Sequence, residues 1–177
     1  FNRLFKASAS NGTPLQKVLN EAGRYFQLNK SVTITNDSDG NEVRTETDLG
    51  AADGPFGPEA TNQLSCRQNF SILTTDGYWN GGTVSTGTAG DGGDGSVITN
   101  SPVPVGDANY KTYQYKQPAP YKDGNSNTLA DVAMKYWKTD LRTDLDNNVP
   151  SDYSKVAAEN DQIGRDPAFW RHMVTFA

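Results

Sequence analysis

The chain is poor in the side chains that most often carry catalysis or bind zinc, since its 177 residues include one cysteine and one histidine. A single histidine, His172, excludes a zinc site built from several histidines and leaves little material for cysteine–histidine nucleophilic catalysis. The single cysteine, Cys66, cannot form a disulfide within this chain. Two interpretations of it carry equal weight: a buried thiol, and a half-cystine whose partner lies outside this sequence.

Long apolar runs and an excess of positive charge are also lacking. No apolar run approaches the roughly 18 residues that a membrane-spanning helix needs. Sixteen Lys and Arg stand against 21 Asp and Glu, so the net charge is −5. This acidic balance argues against electrostatic binding to nucleic acid or to anionic lipid.

What is present indicates a folded, loop-rich protein. Seventeen glycines and nine prolines indicate many loops, whereas three tryptophans and eight tyrosines are typical of a chain that folds. The length suits one domain. The sequence begins with Phe1 rather than Met and ends in the alternating apolar run 173–177, which is typical of a strand. We therefore expect a piece of a longer protein.

Two helices are predicted from their start signals and apolar faces. Thr13-Pro14-Leu15-Gln16 combines a capping residue, a proline suited to the first turn and a glutamine that would complete a capping box. One apolar face then continues for about three turns. A second capping pattern, Thr128 to Asp131, opens a helix whose inner face includes Trp137. Residues 1–6 have the apolar spacing of a helix end.

The strand predictions follow from alternation and turn residues. Residues 31–35 and 42–45 are predicted to form a hairpin, and residues 70–75 are the strongest strand. Residues 81–109 are predicted as a long exposed loop, 110–121 as an extended segment or edge strand, and 142–168 as a polar loop. Helices that alternate with apolar strands predict an α/β layered domain. Its insertions are predicted at about 30–65, 81–122 and 142–166.

Two residues are candidate metal ligands. Asp76 follows the strongest strand and precedes a glycine, and the carboxyl ends of strands in open α/β sheets are where ligands bind. Its carboxylate is a natural ligand for a hard cation. Thr13 stands at a helix start, where its hydroxyl can bind Mg²⁺ directly. Taken singly, the simpler interpretations are favoured: a turn aspartate and an ordinary helix cap.

For the other acidic, aromatic and histidine side chains considered as functional residues, structural interpretations are favoured. Asp123 and Asp131 partly imitate a calcium loop, but the glycine and glutamate that such a loop requires are missing, so a turn before a capped helix is favoured. Asp37 and Asp39 fit a hairpin turn, and Asp91 and Asp94 are most simply solubilising. Trp79, Trp137 and Trp170 are candidate adhesive aromatics. Trp137 lies on an apolar helical face and is interpreted as core, and core is also favoured for Trp79, the better surface candidate. His172, a lone histidine at the start of a strand, is interpreted as structural.

Together, the two candidate ligands resemble a known pattern. Asn11-Gly12-Thr13-Pro14-Leu15 at a helix start, followed by Ile72-Leu73-Thr74-Thr75-Asp76-Gly77 at a strand end, resembles a von Willebrand factor A domain. The resemblance implies a sheet with helices on both faces, incomplete in this chain. It also implies a metal-ion-dependent adhesion site in which Thr13 and Asp76 bind Mg²⁺ or Ca²⁺. The family's Asp-x-Ser-x-Ser motif is absent and is expected upstream of Phe1.

Three longer blocks narrow the resemblance. Residues 66–81, 127–142 and 167–176, in that order and together with Gly12-Thr13-Pro14-Leu15, resemble the PilY-type tip-associated adhesins of bacterial type IV pili. They cover roughly a third of the chain. By this resemblance, residues 1–177 are the C-terminal portion of an A-type domain, in an exported protein whose C-terminal β-propeller lies outside this sequence.

The resemblance implies a non-enzymatic module at the pilus tip, on the cell surface and exported through the periplasm. Its expected partners are minor pilins, the rest of its own polypeptide and a surface or host-cell receptor. The alternative is a purely structural module that docks minor pilins or orients the β-propeller without a metal. A hydrolase ranks below both, because the sequence has no nucleophile elbow, no histidine partner and no cofactor loop.

Overall fold

The computed structural model describes residues 13–28, 30–36, 38–39, 42–48, 65–75, 77–87, 93–117, 122–153 and 165–177. Within them lie two helices and six strands. In chain order these are α1 (Leu15–Leu28), β1 (Lys30–Asn36), β2 (Glu42–Asp48), β3 (Asn69–Ile72), β4 (Val97–Thr99), β5 (Thr112–Gln114), α2 (Leu129–Trp137) and β6 (Met173–Phe176). The mixture of helices and strands agrees with the predicted α/β class. The helix end predicted for residues 1–6 lies outside the described residues.

Helix α1 forms where its apolar periodicity predicted it, but its start is built differently. Gln16 does not complete a capping box at Thr13. Its side chain is buried and bridges two distant segments: Nε2 donates to the carbonyl of Asn127 at 2.9 Å, and Oε1 accepts from the backbone of Val84 at 3.0 Å. A buried amide needs partners at both ends, and here long-range backbone groups supply them.

Helix α2 has the predicted cap. Thr128 accepts a hydrogen bond from the backbone of Asp131, whose carboxylate accepts from the backbone and hydroxyl of Thr128. This reciprocal pair satisfies donors at the helix start. The interpretation of Asp131 as part of a helix start is therefore confirmed, and its carboxylate is committed to that role.

The two helices pack against each other and against β6 to form the first apolar cluster. Its buried members are Leu19, Val132, Tyr136, Leu141 and Met173. Gly23 lies directly against the Tyr136 ring, where an added Cβ would come within 2.3 Å of Cγ. The Tyr136 hydroxyl donates to Oδ1 of Asn20 at 2.8 Å, and burial raises the pKa of Tyr136 to about 12. The ring therefore joins the helices by both contact and hydrogen bond.

Strands β3 and β6 pair in parallel, Asn69 opposite Met173 through Ile72 opposite Phe176. One face turns inward, since Asn69 and Met173 are buried. The other carries Phe70, Ile72 and Phe176, which are exposed, and the two phenylalanine rings stack with centroids 6.2 Å apart. Among the described residues, helices thus cover one face of this pair.

The predicted hairpin is confirmed, because β1 and β2 pair antiparallel from Lys30 opposite Asp48 to Asn36 opposite Glu42. The prediction of an exposed loop over residues 81–109 holds for most of its described residues and is wrong at Val97–Thr99. Strand β4 lies in it and pairs antiparallel with β5. This small sheet is held by the second apolar cluster, in which Ile98 packs with Ala168, Phe169 and Trp170 and partly buried Tyr113, Trp137 and Tyr153.

Arg171 organises the polar segment that follows α2. Its side chain is fully buried, and its two terminal nitrogens donate to four backbone carbonyls at 2.6–3.1 Å: those of Ser65, Arg142, Leu145 and Asp146. Burial lowers the pKa of the Arg171 guanidinium, whereas Asp140 raises it. The first residues of the segment predicted as a polar loop, 142–146, are therefore held by one buried cation. No described helix is long and apolar enough to cross a membrane.

Candidate functional site

The start of α1 and the loop after β3 are held together at Thr13 and Asn80. The Thr13 backbone donates to Oδ1 of Asn80 at 2.7 Å, and the Asn80 backbone donates to the Thr13 carbonyl at 3.1 Å. Two short, reciprocal hydrogen bonds fix the relative position of both segments. The structure thus places the helix start that carries Thr13 beside Asn80, which follows Asp76 in the sequence.

The glycine that follows Asn80 allows this close approach. Gly81 has a φ of +105°, which L side chains rarely adopt, and an added Cβ would come within 3.1 Å of the Pro14 Cβ. The loop therefore needs glycine here for its backbone conformation and for its contact with the helix start.

Thr13 is half-buried, and each hydrogen bond between Thr13 and another described residue uses the Thr13 backbone. Its hydroxyl is not committed to the pairing with Asn80. Asp76 lies outside the described residues, so its prediction as a metal ligand stays a prediction. Within the described part of the chain, no group of three or more His, Cys, Asp or Glu is placed to hold a metal ion.

The loop between β3 and Asn80 exposes aromatic surface. Tyr78 is 87% exposed and Trp79 is 48% exposed, so the favoured interpretation of Trp79 as a core residue is wrong. Trp137, by contrast, is partly buried and packs against the second apolar cluster, as predicted. The surface beside Thr13 therefore combines a helix start with two accessible rings.

His172 has the structural role that the sequence favoured. It is buried, its Nδ1 lies 2.8 Å from the Trp170 carbonyl, and its Nε2 lies 3.3 Å from Oδ2 of Asp166. Burial by itself would raise the pKa of Asp166, but hydrogen bonds from His172 and from the Ala168 backbone lower it below its ordinary value. The pair ties the polar loop to the strand that follows.

The Asp166 pair predicts acid sensitivity. Because the folded protein holds the pKa of Asp166 below its unfolded value, near 3.8, the contribution to stability is present above that pH. It is lost as the pH falls through the lower, folded pKa. We expect Asp166→Asn to lower the free energy of unfolding at pH 7 and to flatten its fall in acid, measured by urea unfolding between neutral and acid pH.

The exposed Asp107 supplies the matched control, because Asp107→Asn makes the same chemical change outside the pair of Asp166 and His172. A profile for Asp166→Asn that falls as steeply as that of the unsubstituted chain would contradict the assignment.

The remaining predicted candidates are placed apart from this surface. Asp94 is exposed and paired with Lys116, whose hydrogen bond lowers the pKa of Asp94. Asp123 accepts from the Asn125 backbone at 2.7 Å in the turn before α2, as the structural interpretation predicted. Asp37 and Asp91 lie outside the described residues, and Asp39 lies in the hairpin turn.

Cys66 is exposed. The interpretation of it as a buried thiol is therefore wrong, and its pairing with a cysteine outside this sequence stays a prediction.

Sequence reasoning missed Asn80 as the anchor of the site. The available signal was the Asn80-Gly81 dipeptide, which is typical of tight turns. Its partner Thr13 lies 67 residues away, however, and no local pattern connects them.

Comparison with known proteins finds similarity to pilus biogenesis factors. It is 33% identical over 185 residues to the type IV pilus biogenesis factor PilY1 of Pseudomonas aeruginosa strain PAK, an alignment that includes 99% of this chain and 13% of the relative. The predicted resemblance to PilY-type proteins is confirmed. PilY1 of strain PAO1 is 32% identical over 185 residues, with 99% and 13% covered, and PilY1 of strain UCBPP-PA14 is 32% identical over 180 residues, with 99% and 12% covered.

The chain thus spans about an eighth of the length of these PilY1 relatives. No family model matches it, and no solved structure matches it significantly.

Proposed function

We propose that this chain is a non-enzymatic module of a type IV pilus tip protein that supports pilus assembly and adhesion to surfaces or host cells. Similarity to PilY1, which is named as a pilus biogenesis factor, supports the pilus role. The proposed location is the cell surface at the pilus tip, reached through the periplasm. The proposed partners are minor pilins, a surface or host receptor and the remainder of the same polypeptide, including a β-propeller.

The observation that carries the adhesive part is the reciprocal pairing of Thr13 with Asn80. It places the start of α1 beside the loop that runs on from Asp76 in the sequence. This closeness supports the proposal of a von Willebrand factor A-like adhesion site in which Thr13 and Asp76 would lie near each other. The exposed rings of Tyr78 and Trp79 give the same surface the aromatic character common at protein interfaces.

We propose that Thr13 and Asp76 contribute two oxygen ligands to a divalent cation, Mg²⁺ or Ca²⁺. A hydroxyl and a carboxylate suit such hard cations. The set is incomplete in this chain, since six or more oxygen ligands are usual and the Asp-x-Ser-x-Ser motif is absent. The remaining ligands would come from elsewhere in the longer polypeptide.

The test uses the full-length pilus protein that carries this chain, with Thr13→Val and Asp76→Ala. Valine keeps the shape of threonine and leaves its backbone bonds to Asn80 in place. We expect both variants to assemble pili normally and to lose most of the adhesion that a chelator removes from the unsubstituted protein. Surface pili are counted, and cell adhesion is measured with and without EDTA and after Mg²⁺ is restored.

Matched controls are Thr112→Val and Asp107→Ala, which remove the same groups from exposed positions on other segments. Both should adhere normally. Adhesion that is insensitive to EDTA and unchanged by Thr13→Val and Asp76→Ala would remove the metal from the proposal.

The metal-free structural module is favoured by a separate observation. The hydrogen bonds between Thr13 and Asn80, and the close approach of Gly81 to Pro14, join the loop to the helix through the protein's own groups. Gly81→Val should break this junction for two reasons. Valine rarely adopts the backbone conformation of Gly81, and its Cβ would come too close to Pro14. If Gly81→Val abolishes piliation while Asp76→Ala leaves piliation and adhesion unchanged, the structural role is supported.

A further inference from the structure

The parallel pair of β3 and β6 has one apolar face that the described helices leave uncovered. Side chains alternate between the two faces of a strand, and the register places the outward residues of both strands side by side. This outer face consists of Phe70, Ile72, Val174 and Phe176. Phe70 is 53% exposed, Ile72 is 79% exposed and Phe176 is 54% exposed, and the two phenylalanine rings stack on each other.

The opposite face of the same pair is covered in the usual way. Met173 is fully buried and belongs to the first apolar cluster, together with Leu19 of α1 and Val132 of α2. Asn69, its partner in register, is buried too, and its Nδ2 donates to the carbonyl of His172 at 3.2 Å. The pair is therefore packed on its inner face, whereas the outer face presents four apolar side chains to solvent.

A helix is the element that suits the outer face. Parallel sheets occur almost only with both faces covered, because the connections between parallel strands place helices on the faces. Each strand of this pair has four residues and so spans roughly 10–13 Å. About two turns of an α-helix match that length. Such a helix would need an apolar stripe, with apolar side chains at every third or fourth position.

The size of the outer face indicates how its partner is attached. A large aromatic side chain buries about 150–250 Å², so the exposed parts of Phe70, Ile72 and Phe176 together offer about 400 Å². A stable complex of separate molecules buries about 800 Å² on each partner, so two copies that met at this face would fall short by about half. A segment of the same polypeptide loses less translational freedom when it docks, and a smaller contact is then sufficient.

The similar proteins are long enough to supply such a segment. The alignments include 99% of this chain but only 12–13% of each PilY1 relative. We propose that the outer face of β3 and β6 is covered by an amphipathic helix from the remainder of the same polypeptide, whose apolar side chains pack on Phe70, Ile72 and Phe176. The proposal rests on this face and on the similarity to PilY1. It does not depend on the candidate metal ligands.

The test places the photoreactive amino acid p-benzoylphenylalanine at Phe70 or at Phe176 in the full-length pilus protein that carries this chain. After irradiation, the size of the product distinguishes a cross-link within one molecule from a cross-link between two, and mass spectrometry identifies the captured peptide. We expect both positions to capture the same segment, outside residues 1–177 and with an apolar helical stripe, within one molecule. The control position is Val105, which is 82% exposed on another segment and should not capture it.

A charge on the outer face supplies a second measurement in the same full-length protein. Ile72→Asp changes a side chain that is 79% exposed in this chain, so the packing of the chain itself is not disturbed. Beneath a covering helix the carboxylate would be buried without a partner, so hydrogen exchange of the captured segment should become faster by more than about tenfold. The matched Val105→Asp should leave that exchange unchanged.

Several results would overturn the proposal. They are cross-links between two copies, to a separate protein or to another part of residues 1–177, the absence of a specific cross-link, and unchanged exchange of the captured segment in Ile72→Asp. The readouts are captured peptides and exchange rates, whereas the proposed function is tested by piliation and adhesion. Failure of this proposal is therefore distinguishable from failure of the proposed function.

Discussion

Replacement of Arg171 by lysine should destabilise the chain by about 3 kcal/mol or more. The guanidinium donates to four backbone carbonyls from a fully buried position. Three of these acceptors lie within residues 142–146, at the beginning of the polar segment after α2, and the fourth is Ser65. Lysine has the same charge but one nitrogen, so it cannot reach four acceptors arranged around a planar fork. Buried carbonyls left without donors carry the full cost of their lost hydration.

The measurement for Arg171→Lys is hydrogen exchange detected by mass spectrometry, which reports the opening of individual segments even inside a longer polypeptide. Peptides from residues 139–149 should exchange faster by a factor of more than about one hundred, while peptides from α1 should change less. The control is Arg24→Lys, which changes an arginine in an ion pair on α1 with Glu21 at 3.8 Å and should have little effect. Unchanged protection of residues 139–149 would show that Arg171 does not organise this segment.

The second large effect is expected at Gly23, where alanine should destabilise the chain although it is the better helix former. In an exposed helix interior, Gly→Ala gains about 1 kcal/mol. Here the added Cβ would lie 2.3–2.4 Å from three atoms of the Tyr136 ring, closer than real Cβ contacts come. The ring is 1% exposed and its hydroxyl is bound to Asn20, so it has little room to move. Overpacking of this kind typically costs about 1–3 kcal/mol.

Urea unfolding of Gly23→Ala, Tyr136→Leu and the double variant tests this contact directly. Leucine removes the ring that the new methyl group meets, so the double variant should be more stable than the sum of the single changes implies. Strict additivity, or a Gly23→Ala variant more stable than the unsubstituted chain, would contradict the predicted clash.

The elements that were predicted correctly from local sequence patterns are those stabilised by residues close to one another in the sequence. Helix α2 begins at Thr128 because its cap partner is three residues away, and the β1–β2 hairpin forms around a short polar turn. Gln16 was predicted wrongly for the opposite reason. Its hydrogen-bond partners Val84 and Asn127 lie 68 and 111 residues away. The Gln16 side chain bonds to these distant backbone groups instead of capping its own helix.

The difference between local and long-range contacts also explains why β4 and part of the candidate site were not predicted. Val97 and Ile98 stand among glycine, serine and threonine, so their apolar signal is weak. The packing of Ile98 with Trp170 and the pairing of β4 with β5 are contacts that local sequence does not reveal. At the candidate site, Thr13 was found from its place before α1. Asn80 was missed because its role is defined by Thr13, across the fold.

The parallel pairing of β3 with β6 also determines how late β3 can find its partner strand during synthesis of the chain. Nδ2 of Asn69 donates to the carbonyl of His172, 103 residues later, so β3 is complete long before its partner exists. At about 5–20 residues per second, synthesis of that interval takes roughly 5–20 s. Closing so long a loop is slow, although further lengthening adds little free energy, about 0.6 kcal/mol per doubling. During this interval Phe70 and Ile72 lie in a strand that lacks β6 as its partner. We therefore expect the nascent chain to be most exposed to proteases and to premature association at this stage.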